Sequence, residues 1–124
     1  MRITAERATA VLLALDTEWR YVREIDEADP FPVPVLRWLR ARDLAEYRPP
    51  NRDLDHPVGE WAATDAGLAL ADSVRDKRRT RADLVAMLDR VIAGVPVTEV
   101  MDEADHAEMR RIYRTNVWDS GRSV

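Results

Sequence analysis

The 124-residue chain has no cysteine, one phenylalanine, a single lysine and only four glycines, and it lacks any long hydrophobic run. The missing cysteine excludes disulfides, thiolate metal sites and thiol nucleophiles outright. The longest early apolar stretch, Val11 to Leu15, stops at Asp16, far short of the ~18 apolar residues of a membrane helix. No secretory-signal layout opens the sequence, so the expected location is cytoplasmic. With glycines at 59, 67, 94 and 121 alone, there is no phosphate loop, dinucleotide fingerprint or nucleophile elbow. No two carboxylates are spaced as a tuned acid–base couple. The expectation is a protein that is not an enzyme and carries no cofactor. Arginine in place of lysine, with abundant alanine, fits the coding bias of a GC-rich genome such as that of an actinobacterium or its phage.

What the chain does have is charge, and the charge is segregated. Nineteen basic residues against 23 acidic ones leave a net charge of −4, which argues against indiscriminate nucleic-acid binding. Residues 16–29 hold six acids against Arg20 and Arg23, whereas residues 33–52 hold five arginines against Asp43 and Glu46. A second basic run spans 75–81, and residues 98–108 hold five acids and no base. The 75–81 run reads first as the exposed end of a helix, where cations offset the dipole. A phosphate-contacting stripe is the alternative.

Hydrophobic spacing predicts a mainly α protein with a small β-hairpin, an α+β chain of one domain's length. A first helix covers 4–15 with Thr4 as N-cap, and a second is expected after Thr17, carrying Trp19, Val22 and Ile25. Asp29-Pro30 stops it. Pro34 suits the first turn of a third helix, with Val35, Leu36 and Leu39 inward and Arg37, Arg40 and Arg42 outward. Leu44 to Arg48 and Val58 to Ala63 read as two strands around a turn-rich tip at 49–57. Thr64 caps a following helix, residues 82–93 form another that Gly94 ends, and 98–114 form the last. The tail from Ser120 is expected to fray.

Two stretches carry a family resemblance. Pro34-Val35-Leu36-Arg37-Trp38-Leu39-Arg40-Ala41-Arg42-Asp43-Leu44 resembles the recognition-helix stretch of PadR-like transcriptional regulators, with Asp43 where that family usually has glycine. Thr64-Asp65-Ala66-Gly67 resembles the Thr-x-x-Gly segment that closes the wing in PadR-like and MarR-like proteins. The resemblance covers about residues 8–72 and implies a winged helix-turn-helix domain over 1–79. Residues 80–119 would then form a C-terminal helical extension for dimerisation or partner binding, and 120–124 a flexible tail.

On that resemblance the third helix enters the major groove and the wing reaches the flanking backbone. Arg37 and Arg40 become the base-reading candidates, because an arginine fork pairs with guanine O6 and N7 together. Arg42, Arg48 and Arg52 become phosphate contacts, and Trp38 a residue on the exposed edge. Leu84, Leu88, Val91, Met101, Met109 and Ile112 are expected at a dimer or partner interface, a homodimer spacing two recognition helices one DNA turn apart. Residues 93–101 also resemble, more faintly, the first half of a plain helix-turn-helix, continuing through Ala104 to residues 112–114. Asp53, Asp55 and His56 read as a polar tip in preference to a metal site. The expected function is a sequence-specific regulator binding double-stranded DNA. The alternative is a winged-helix module that binds protein and not DNA, its acidic segments suited to a basic partner.

Overall fold

The computed structural model describes residues 2–16, 18–50 and 59–122, with residues 113–122 by backbone alone. The expected wing tip, including Arg52, Asp53, Asp55 and His56, lies outside the described residues. Helix α1 spans Ala5–Ala14, with the Thr4 hydroxyl accepting from the Arg7 N–H. Its apolar face (Ala8, Val11, Leu12) is fully buried.

The second helix expected after Thr17 is not formed. Arg20 and Trp61 instead exchange both backbone hydrogen bonds, each 2.8 Å, and the Ala63 N–H donates to the Asp16 carbonyl at 2.9 Å. Helical structure here shrinks to a 3-10 turn at Val22–Glu24. Sheet pairing overrides the periodicity, since the partner strand's buried backbone groups must find partners.

Helix α2 spans Pro32–Ala41, two residues ahead of the expected start. Pro32 and Pro34 both sit in its first turn, where a missing N–H costs nothing. Asp29 fixes the entry: it is buried, accepts from the Phe31 N–H at 2.8 Å, and takes two bonds from Arg7 at 2.7 and 3.0 Å. The hydrogen bonds from Arg7, reinforced by its charge, hold the Asp29 carboxyl below the usual range despite burial.

Strands β1 (Ala45–Arg48) and β2 (Glu60–Ala63) pair antiparallel, with Ala45 opposite Ala63 and Tyr47 opposite Trp61. The turn from α2 into β1 is a Schellman motif: Leu44 N–H donates to the Leu39 carbonyl and Asp43 N–H to that of Arg40. Asp43 takes φ +58°, the left-handed conformation glycine adopts most cheaply and one that Asp tolerates.

Helix α3 (Asp65–Arg75) begins at the Thr64 cap. The Thr64 hydroxyl accepts from the Gly67 N–H and donates to the Asp43 carbonyl. A Cβ at Gly67 would lie 2.1 Å from the Leu44 carbonyl oxygen. The Thr-x-x-Gly segment thus clamps α3 against the turn that launches β1.

Helix α4 (Arg81–Ile92) starts at a reciprocal Thr80–Asp83 capping box. Gly94, at φ +112°, closes it. The single helix expected over 98–114 is two: one turn, α5 (Val97–Val100), then α6 (Glu103–Arg122). The break comes at Asp102, whose carboxylate accepts from the Asp105 N–H while Asp105 accepts from the Asp102 N–H. That box starts a new helix, and one turn of α5 is too short for the first helix of the faint helix-turn-helix. Helix α6 runs past the expected fray point at Ser120.

Helix α4 packs on α1 and α6 on α3. One continuous core runs from Ala5 through Leu44 and Leu70 to Ile112. Leu84, Leu88, Val91, Met101 and Ile112 are buried within this single chain, and Met109 packs against them half-buried. The expectation that these six residues offer an intermolecular face is corrected for the first five, whose apolar area is consumed inside the chain, and only Met109 keeps part of its surface exposed. No helix among the described residues is long and apolar enough to cross a membrane.

Candidate functional site: an arginine-lined cleft beside α2

With one face of α2 locked into the core, its two flanks meet different surroundings. Val33, Arg37 and Arg40 recur at i, i+4 and i+7 and share one flank. That flank forms the wall of a cleft of about 660 Å³. Tyr21, Val22 and Arg23, just before and within the 3-10 turn, make the opposite wall, and Tyr47, Gly59 and Trp61 of the hairpin region make the floor.

The floor is aromatic. The Tyr47 and Trp61 rings lie 4.8 Å apart, tilted by 44°. Gly59 permits this placement, since a Cβ there would come within 2.4 Å of a Tyr47 ring carbon. The rim is cationic. Arg23, Arg37 and Arg40 are exposed, and no carboxylate among the described residues forms an ion pair with any of them. Arg40 lies 5.5 Å over the Tyr47 ring and Arg23 5.6 Å over that of Tyr21, so the guanidiniums lean on the aromatic lining.

No family model, curated protein or solved structure matches the chain. Function must be argued from the site's own chemistry.

The residues expected on a DNA surface separate into groups. Arg37 and Arg40 come together on the cleft flank, open to solvent. Arg42 and Trp38 occupy the other flank, engaged with each other: the guanidinium sits 4.2 Å over the indole and donates to the Trp38 carbonyl at 3.4 Å. Trp38 is half-buried against the core, not the exposed edge residue expected. Arg48 is held by Glu60 at 2.6 Å and lies 4.7 Å over the Trp19 ring. It ties the two strands together, so the expected phosphate contact is already engaged with a carboxylate.

The basic run at 75–81 is partly structural. Arg75 donates to the Leu13 and Leu15 carbonyls at 2.9 and 2.8 Å, satisfying the end of α1. Arg79 grips Asp105 through two bonds of 3.0 and 2.8 Å, and also donates to Ser73 and Asp102. Asp105 is fully buried. Burial pushes its carboxyl up, but the bonds from Arg79 and the Asp102 N–H outweigh that and leave it below the usual range. Among the described residues no group of three or more His, Cys, Asp or Glu is gathered as a metal site.

Sequence reading missed the cleft because its walls come from three segments far apart in the chain. The available signal was the i, i+4, i+7 set of Val33, Arg37 and Arg40, facing two aromatics at paired strand positions.

Proposed function

We propose that this chain is a winged helix-turn-helix protein that binds double-stranded DNA, with α2 as the recognition helix. The observation that carries the reading is the pair Arg37 and Arg40: exposed, without carboxylate partners, and on the same flank of a helix whose opposite face is locked in the core. The order of elements supports it, running from α1 through a short strand-like contact at Arg20 to α2, the hairpin and α3. The long helices α4 and α6 pack chiefly on α1 and α3, away from these arginines. In this reading Arg37 and Arg40 approach guanine edges, and the chain remains a candidate transcriptional regulator.

A protein-binding module is the second reading, favoured by the exposed carboxylates of Glu24, Asp26 and Glu27 directly after Arg23. These would repel phosphate and attract a basic partner.

Fluorescence anisotropy with labelled fragments of the gene's own upstream region, across a salt series, separates the two. The DNA reading expects salt-sensitive binding that survives competitor DNA. Arg37→Ala should cost about 1–3 kcal/mol on the preferred sequence and little on others. Absence of binding at low salt would transfer the lead to the protein-binding reading.

A further inference from the structure

We infer that the cleft between α2 and the hairpin is a ligand site for a planar aromatic anion of nucleotide size. The inference stands on the cleft itself and holds whether or not the chain binds DNA.

Three properties converge there. The first is size: about 660 Å³ falls within the ~300–1,000 Å³ of ordinary small-molecule sites. The second is an aromatic lining of Tyr21, Tyr47 and Trp61, against which a flat ring can pack in place of the exposed Arg40 side chain that lies over Tyr47. Val22 and Val33 add apolar wall. The third is charge. Arg23, Arg37 and Arg40 line one cavity, with no carboxylate among its described lining residues. Like charges held together repel one another, and an anion relieves that repulsion. A guanidinium fork also matches phosphate or carboxylate oxygens bidentately. A bare anion would leave the aromatic floor unused, and a neutral ring would leave the arginines unused. One ligand carrying both groups uses the whole cleft.

The test uses the full chain without DNA, titrated calorimetrically with adenosine 5′-monophosphate, adenosine and inorganic phosphate in parallel. The expected result is saturable binding of the monophosphate in the range of about 10 µM to 1 mM, with adenosine and phosphate each weaker by about tenfold or more. Arg40→Gln, a change at an exposed position, should weaken the monophosphate by about tenfold and leave the circular-dichroism melt unchanged. Gly59→Ala, which must displace the Tyr47 ring, should weaken the monophosphate and adenosine together while leaving the weak phosphate binding as it was. Monophosphate binding no tighter than inorganic phosphate would overturn the aromatic half of the inference, and with it the ligand class. Binding unaltered by Arg40→Gln in a folded protein would place the ligand elsewhere and overturn the site. Either failure leaves the anisotropy result with DNA untouched, so the two readings fail separately.

Discussion

Gly67 carries more of the architecture than its small size suggests. It lets α3 approach the Leu44 carbonyl so closely that an added methyl would stand 2.1 Å from the oxygen. Both sides of that contact are backbone and cannot rotate away. Gly67→Ala should therefore destabilise the fold by about 1–3 kcal/mol, measured as a lowered urea midpoint at unchanged slope. Asp43, directly before Leu44, takes the left-handed conformation without being glycine. Asp is among the few residues that tolerate it, and Asp43→Val would not. At this scale Arg37 and Arg40 were legible from the sequence, because outward positions on an amphipathic helix follow from periodicity alone. Arg42 and Arg48 were not. Whether an exposed-type side chain is free depends on the neighbour that folding supplies, here Trp38 for one and Glu60 for the other.

Among the elements, α6 joins the core through its packing on α3 and a buried ion pair near its start. Asp105 begins that helix through the box with Asp102 and docks it through Arg79, which follows the C-terminal end of α3. Asp105→Asn weakens the buried bonds while Arg79 keeps Asp102 and Ser73, so it should cost about 1–3 kcal/mol, read by chemical denaturation. The pH response follows from the lowered carboxyls of Asp29 and Asp105. A group whose folded-state pKa lies below its unfolded value stabilises fully above the unfolded value, and that stability is lost as pH falls through the folded one. Stability should hold through neutral and mildly acid pH and then fall below about pH 4, less steeply in Asp105→Asn. The caps at Thr4, Thr64 and Thr80 belong to local sequence. The missing second helix does not: Trp19, Val22 and Ile25 have helical spacing, yet β2 takes the backbone of Arg20.

For the molecule as a whole, the C-terminal helices complete the core. Leu88 is fully buried between elements of its own chain. Leu88→Asp should therefore unfold the protein, and the parent chain's thermal midpoint should not change with protein concentration. A strong concentration dependence in the parent chain would instead show subunits whose folding is coupled to association. The net charge of −4 makes any DNA contact local to the arginine-lined flank, so few phosphates are neutralised and affinity should fall only shallowly with salt. By itself, the sequence determined which segments are helical where caps and apolar faces agree, that the chain is mainly α with one hairpin, and which face of α2 is buried. These are properties of neighbours along the chain, set by backbone geometry and by the exclusion of apolar side chains from water. Only the tertiary structure decided which arginines stay unpaired, where the buried Asp105 finds its cation, and that residues near 22, 37 and 60 enclose one cleft. Those outcomes depend on contacts between distant segments, and hydrophobic periodicity does not say which distant segment will arrive.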